Sequence, residues 1–229
     1  MLLKYLTINT IAEVCCFIIA VVKLRKVNDI FWKSWIVFLF ITCVTEFTGK
    51  YLKDLYLADR VHVHPNVWLY NILLIAQAFF IGMMFMHLLK KYTNSFIIIM
   101  SSFSLLMIIY LYELFSHGIY VYNELTNTVM LVIFILLSFL YYYYLLKDEA
   151  YTNLLYSGDF WWVAGVLFFY FGTTACNIFF EHLSPEKMKS IKHLTYYIYN
   201  AFNIVLYGCW SYSFICKRWE MKILPGQSS

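Results

Sequence analysis

Residues 30–52 read IFWKSWIVFLFITCVTEFTGKYL, an apolar run that is broken near its end by Glu46 and Lys50. Between Ile30 and Val44 the only charged residue is Lys33. An α-helix needs about 20 mostly apolar residues to cross the hydrocarbon core of a bilayer. The run is therefore predicted to form a transmembrane helix, and it places Glu46 where an isolated carboxylate is costly.

The whole chain has the composition of an integral membrane protein. Of its 229 residues, 62% are hydrophobic, 21% are aromatic and 13% are charged, and the mean hydropathy is +0.68. Soluble domains are about half apolar and about a quarter charged. The formal net charge is +4, and no basic cluster or aromatic platform predicts nucleic-acid binding. The expected location is the plasma membrane, or the inner membrane if the source is a bacterium.

Seven apolar runs are long enough to be helical spans, which predicts an all-α, multi-pass bundle forming a single domain over residues 1–229. Basic residues such as Lys23 and Arg25 follow the first run, and the positive-inside rule then favours an outer N-terminus and an inner C-terminus. The predicted spans are Thr7–Val22, Trp32–Leu52, Val67–Leu89, Ser95–Phe115, Tyr120–Leu146, Phe160–His182 and Leu194–Cys216.

Polar residues concentrate in the half of these spans that is predicted to face outward. In the sixth and seventh spans they recur at steps of three and four residues, which places them on one face of each helix. Lipid offers no hydrogen bonds, so polar faces are expected to turn toward the interior of the bundle. We predict an outward-facing polar pocket formed by Glu13, Glu46, Asn71, Asn177, Glu181, Tyr196, Asn200, Asn203 and Tyr207.

Glu46 is expected to be tolerated because it faces this hydrated pocket. Lys50 follows one helical turn later and can pair with it, and Glu13 is expected to be a neighbour. The alternative is that the polar side chains only form hydrogen bonds that stabilise contacts between membrane helices. Glu113 and Glu124 lie near predicted span ends, where we expect them to be solvated at the headgroup level.

Few residues suggest a cofactor. His62 and His64 form an H-x-H pair and are weak candidates for a metal, but two ligands do not make a site. All six cysteines fall within the predicted spans, so no extracellular disulfide framework is implied. No nucleophile-elbow motif is present, and we predict neither a cofactor nor a catalytic residue.

The leading functional prediction is a receptor-like or sensory membrane protein. Its outer pocket would hold a small molecule, a lipid or a proton, and a helix shift would pass to a protein partner, because the inner loops are short. One alternative is a small proton-coupled transporter or channel that uses Glu46 or Glu13, although the spans lack the proline interruptions common in transporters. An intramembrane enzyme and a scaffold subunit are further alternatives.

Overall fold

The computed structural model describes the backbone of residues 6–148, 153–181 and 185–223, and the side chains of these residues apart from 180–194 and 221–223. Within these ranges the chain is all-helical, without strands, as predicted. A short 3-10 helix, Leu154–Tyr156, precedes the sixth α-helix. The seven α-helices are α1 (Ile8–Leu24), α2 (Ile30–Ala58), α3 (Val67–Leu89), α4 (Ser95–His117), α5 (Glu124–Lys147), α6 (Gly158–Glu181) and α7 (Pro185–Ile223).

Five of these helices, α2 to α6, are long and apolar enough to cross a membrane. The first helix has 17 residues, at the short end of the range for a span. The last helix has 39 residues and continues beyond both ends of the predicted span Leu194–Cys216. The chain is thus a candidate multi-pass membrane protein, while the number of seven spans and the orientation stay predictions.

Helix boundaries follow from capping residues. The Asp29 carboxylate accepts a hydrogen bond from the backbone N–H of Phe31 at 2.9 Å, which satisfies an otherwise unpaired donor at the start of α2. Gly118 follows the last residue of α4 with a φ of 78°, a conformation that only glycine adopts easily. These residues fix where the chain enters α2 and leaves α4.

Contacts group the helices into two compact units. Among the described residues, the first unit comprises Leu6 and Asn28–Met130, and it contains α2, α3, α4 and the start of α5. The second unit comprises Thr7–Val27 and the described residues that follow Met130, and it contains α1, the rest of α5, α6 and α7. In the first unit α3 packs against α2 and α4, whereas in the second α7 packs against α6 and α1.

Both units contain close helix contacts that depend on glycine. A Cβ atom at Gly49 of α2 would lie 2.6 Å from the hydroxyl oxygen of Tyr70 of α3. A Cβ atom at Gly165 of α6 would lie 2.9 Å from Cβ of Cys209 of α7. Small residues let membrane helices approach closely, and van der Waals packing is what holds such helices together in lipid.

Large apolar side chains remain exposed along the candidate spans. Ile97 is 63% exposed, Ile108 is 67% exposed and Phe168 is 62% exposed. Soluble monomers rarely expose apolar surface on this scale, and such surface marks contact with a membrane or a partner. The exposed faces of these helices are therefore suited to contact with lipid.

Candidate functional site

A pair of asparagines joins α1 to α7 in the second unit. Nδ2 of Asn9 donates a hydrogen bond to Oδ1 of Asn200 at 2.5 Å. Asn200 is only 6% exposed. The remaining amide atoms, Oδ1 of Asn9 and Nδ2 of Asn200, are buried and have no hydrogen-bond partner among the described residues. Buried polar atoms are nearly always paired, so an acceptor and a donor remain available for a bound group at this contact.

Glu13 lies on the same face of α1, one turn after Asn9. The buried residues of this helix include Thr10, Glu13, Cys16 and Ala20, and their spacing of three and four residues defines one face. Glu13 is 3% exposed, so it faces the interior as the polar pattern predicted. A carboxyl group in such a place must be protonated or stabilised by polar neighbours. Its role as a ligand group stays a prediction.

The expected polar stripe of α6 and α7 is partly paired within itself. The Tyr199 hydroxyl donates a hydrogen bond to Oδ1 of Asn177. Nδ2 of Asn203 donates to the backbone carbonyl of Tyr199 at 3.0 Å. Tyr199 was missed by the sequence reasoning, although it lies next to Asn200 and its hydroxyl is the type of group that pairs with a buried amide. Asn177 thus belongs to an α6–α7 contact, whereas the hydrogen bond of Asn203 lies within α7.

Two tyrosines of α7 occupy different environments. Tyr196 is 53% exposed and packs edge-on against Tyr197. Tyr207 is half-buried, with its ring 5.9 Å from that of Trp210. Glu181 ends α6, and its side chain lies outside the described residues. Of the two tyrosines predicted to line the pocket, Tyr196 is therefore the one whose ring is exposed.

Glu46 pairs with Lys50 in the first unit, as its spacing predicted. The Lys50 ammonium lies 3.8 Å from a carboxylate oxygen of Glu46, and the side chains are 22% and 32% exposed respectively. Both charged groups are therefore partly exposed at the protein surface. Glu13 belongs to the second unit, so its expected proximity to Glu46 stays a prediction.

Asn71 uses its amide group within the first unit. Its Nδ2 donates to the backbone carbonyls of Ile119 and Val121, at 3.0 and 2.8 Å. Its Oδ1 accepts from the backbone N–H of Asn123 at 3.2 Å. Asn71 is 0% exposed and both of its N–H bonds are used, so it joins α3 to the α4–α5 connection and has little capacity left for a ligand.

The expectation that Glu113 would be solvated is wrong. Glu113 is only 8% exposed, and its carboxylate accepts hydrogen bonds from the backbone N–H groups of Leu125 and Thr126 at 2.9 and 2.8 Å. The Thr126 hydroxyl donates a third bond at 2.6 Å. The N-terminus of α5 supplies these donors together with the positive end of its dipole, which is why a carboxylate is stable there. Only the folded contact brings the end of α4 to the start of α5.

The two loop histidines have separate partners. The backbone N–H and the ring of His62 both hydrogen-bond Asp59, and they hold the pKa of that carboxyl below its usual value. The His64 ring stacks on Tyr120 at a centroid distance of 4.2 Å. Within the described residues, no three histidine, cysteine, aspartate or glutamate side chains are placed to hold a metal ion together.

Comparisons of the chain with protein families, with curated proteins and with solved structures find no match. The candidate site therefore rests on its own chemistry, a buried carboxyl group beside an incompletely paired amide contact.

Proposed function

We propose that this chain is a receptor-like or sensory multi-pass membrane protein whose ligand group comprises Glu13, Asn9 and Asn200. The observation that carries the proposal is the burial of Glu13 one turn after Asn9, whose contact with Asn200 leaves two amide atoms without partners among the described residues. The ligand is a proton taken up by Glu13, or a small hydroxyl-bearing molecule that donates to Asn9 and accepts from Asn200. A group of this kind would satisfy both amide atoms at once.

The contact between α1 and α7 suits the transmission of a helix shift. From Asn200 to Lys217 the continuous helix α7 extends roughly 25 Å, at about 1.5 Å per residue. At the far end, Nζ of Lys217 lies 3.1 Å from Asp159 and 3.0 Å from Glu220. The Arg218 guanidinium donates to the carbonyl of Lys26, the residue that follows α1 by two positions, at 3.1 Å. A displacement at Asn200 would therefore reach a charged end that a protein partner can bind.

A proton-flux assay separates this proposal from the carrier alternative. The purified chain is reconstituted into phosphatidylcholine vesicles containing a pH-sensitive dye, beside its Glu13→Gln and Glu46→Gln variants. We expect the leak of protons to equal that of protein-free vesicles in all three cases. A larger flux in the wild type that either variant abolishes would contradict the proposal and favour a proton-coupled carrier or channel.

A fluorescence titration tests the sensory role directly. Trp162 and Trp210 stack in the same unit, with ring centroids 6.2 Å apart, and they report on α6–α7 packing. We expect tryptophan emission to change with pH in the wild type and not in Glu13→Gln. Glu124→Gln is the matched control because Glu124 is exposed at the start of α5, and it should keep the response. An unresponsive wild type that co-purifies with a stoichiometric partner would favour a scaffold subunit.

A further inference from the structure

A cleft lies at the end of the first unit where α2 begins, α3 ends and α4 begins. Its volume is about 450 Å³. Two of its lining residues are basic or titratable, three are small and polar, and three are apolar. The lining residues are Phe31, Met86, His87, Lys90, Thr93, Asn94, Ser95 and Phe96.

The walls of this cleft are held by specific contacts. The Ser95 hydroxyl donates to the backbone carbonyl of Met86 at 2.8 Å, which fixes the turn between α3 and α4. The His87 ring stacks on Phe31 at 4.6 Å, and its Nε2 lies 2.9 Å from the Asp29 carboxylate. Contacts with Phe31 and Asp29 therefore fix the orientation of the His87 ring, as in a preorganised binding site.

The polar groups of the cleft match an anion that carries several oxygens. Lys90 is exposed, with its ammonium 5.8 Å from the centre of the Phe31 ring. Nδ1 of His87 is buried and has no hydrogen-bond partner among the described residues. It can accept from a ligand hydroxyl or, in the protonated ring, donate to a ligand oxygen.

The first turn of α4 adds donors to these side chains. Asn94 precedes the helix, but its side chain makes no capping hydrogen bond. The N–H of Ser95 donates to the backbone carbonyl of Thr93 at 2.8 Å, but the following N–H groups of a first turn have no partners within their own helix, and the helix dipole favours an anion there. Lysine, imidazole and a helix N-terminus together form the type of site that binds phosphate.

We propose that this cleft binds an anionic phosphate group, presented by a membrane lipid whose acyl chains lie along the adjoining apolar surface. Phe96 and Ile97 are 60% and 63% exposed beside the cleft and would contact those chains. The proposal is independent of the site at Glu13, which lies in the other unit.

A titration of the detergent-solubilised full chain with short-chain phosphatidylglycerol tests the proposal. Binding is measured by calorimetry for the wild type, Lys90→Gln, Lys90→Arg and Lys91→Gln. Lys91 is the matched control because it is also exposed, but its ammonium lies 5.0 Å from the Tyr92 ring centre and it does not line the cleft. Loss of a charge-assisted hydrogen bond should weaken binding about tenfold in Lys90→Gln. Lys90→Arg and Lys91→Gln should stay within about twofold of the wild type by the same argument.

Each outcome of this titration decides the proposal. Equal loss in Lys90→Gln and Lys91→Gln, or no loss in either, would overturn it, because nonspecific attraction to basic residues would then explain the binding. Inorganic phosphate is titrated separately. If it binds as tightly as the lipid, with the same dependence on Lys90, the lipid source is overturned and the site is assigned to soluble phosphate. Gel filtration of each variant confirms that it remains folded and monodisperse.

Discussion

At the scale of single residues, carboxyl groups in apolar surroundings persist because particular partners stabilise them. Glu113 accepts three hydrogen bonds from Leu125 and Thr126, and Glu46 lies close to one ammonium group. Glu13 is the most deeply buried of the three. The partners of Glu113 and Glu46 explain how those two carboxylates are stabilised. Beside Glu13, in contrast, the Asn9–Asn200 contact leaves one amide acceptor and one amide donor without partners among the described residues, which is why the proposed ligand site is placed there.

The Glu113 cap gives a residue-level prediction. Glu113→Ala removes the acceptor of all three hydrogen bonds and leaves the buried N–H and hydroxyl of Thr126 without it, so we expect a loss of about 2–4 kcal/mol in unfolding free energy. Chemical denaturation in detergent, followed by circular dichroism, measures this loss. Glu124→Ala, which changes an exposed carboxyl in the same helix turn, should cost about 0.5 kcal/mol or less. Similar losses for both variants would refute the capping role.

At the scale of helices, close approach is what assembles each unit. Asn66 strengthens the α2–α3 contact by donating from Nδ2 to the backbone carbonyl of Gly49 at 2.8 Å. Because the Tyr70 ring fills the space above that glycine, the helix surface has no room for a methyl group. In the second unit, Gly165 allows the same close approach between α6 and α7.

Substitutions of glycine test this packing. Gly49→Ala should destabilise the protein by about 1–3 kcal/mol, because its methyl group meets the Tyr70 hydroxyl. Gly208→Ala is the control, since nothing lies within 4 Å of a Cβ atom there, and it should be neutral or stabilising by up to about 1 kcal/mol. Thermal unfolding in detergent measures both. Adding Tyr70→Phe should recover part of the loss in Gly49→Ala, and a double variant as unstable as the single one would count against this contact.

The charged end of α7 gives a prediction for pH dependence. Lys217 follows the predicted seventh span; burial lowers the pKa of its ammonium, but Asp159 and Glu220 together raise it more, so the net pKa lies above its usual range. A group with a raised pKa contributes stability below its unfolded value of about 10.4 and loses it only above that. The stability difference between the wild type and Lys217→Gln should therefore be constant from about pH 6 to about pH 9. Denaturation across this range checks it, and a difference that shrinks steadily over these values would show that Lys217 titrates earlier.

At the scale of the whole molecule, the two units share α5 and are otherwise built from different helices. The first unit ends at Met130 and the second resumes at Leu131, within one continuous helix. The proposed ligand group belongs to one unit and the proposed phosphate cleft to the other. Each proposed site can therefore be altered by substitution without changing the residues of the other site.

The predicted orientation is a property of the whole chain and can be measured by thiol labelling. His62→Cys places a thiol in the α2–α3 loop, at a side chain that is 80% exposed, and Lys91→Cys places one after α3. With the N-terminus outside, a membrane-impermeant reagent should label the first variant in intact cells and the second only after permeabilisation. The variants are made in a background without the six native cysteines. Reversed labelling would invert the assigned topology.

The sequence by itself determined the helical class and the five helices that are long and apolar enough to cross a membrane, because apolar composition and run length are local properties. It also determined the Glu46–Lys50 pair and the inward face of α1, since spacing along one helix decides both. The tertiary structure alone decided that Asn9 meets Asn200, that Glu113 caps α5 and that Asn71 binds the α4–α5 connection. These contacts join residues from different helices, and their geometry depends on helix packing that no local periodicity encodes.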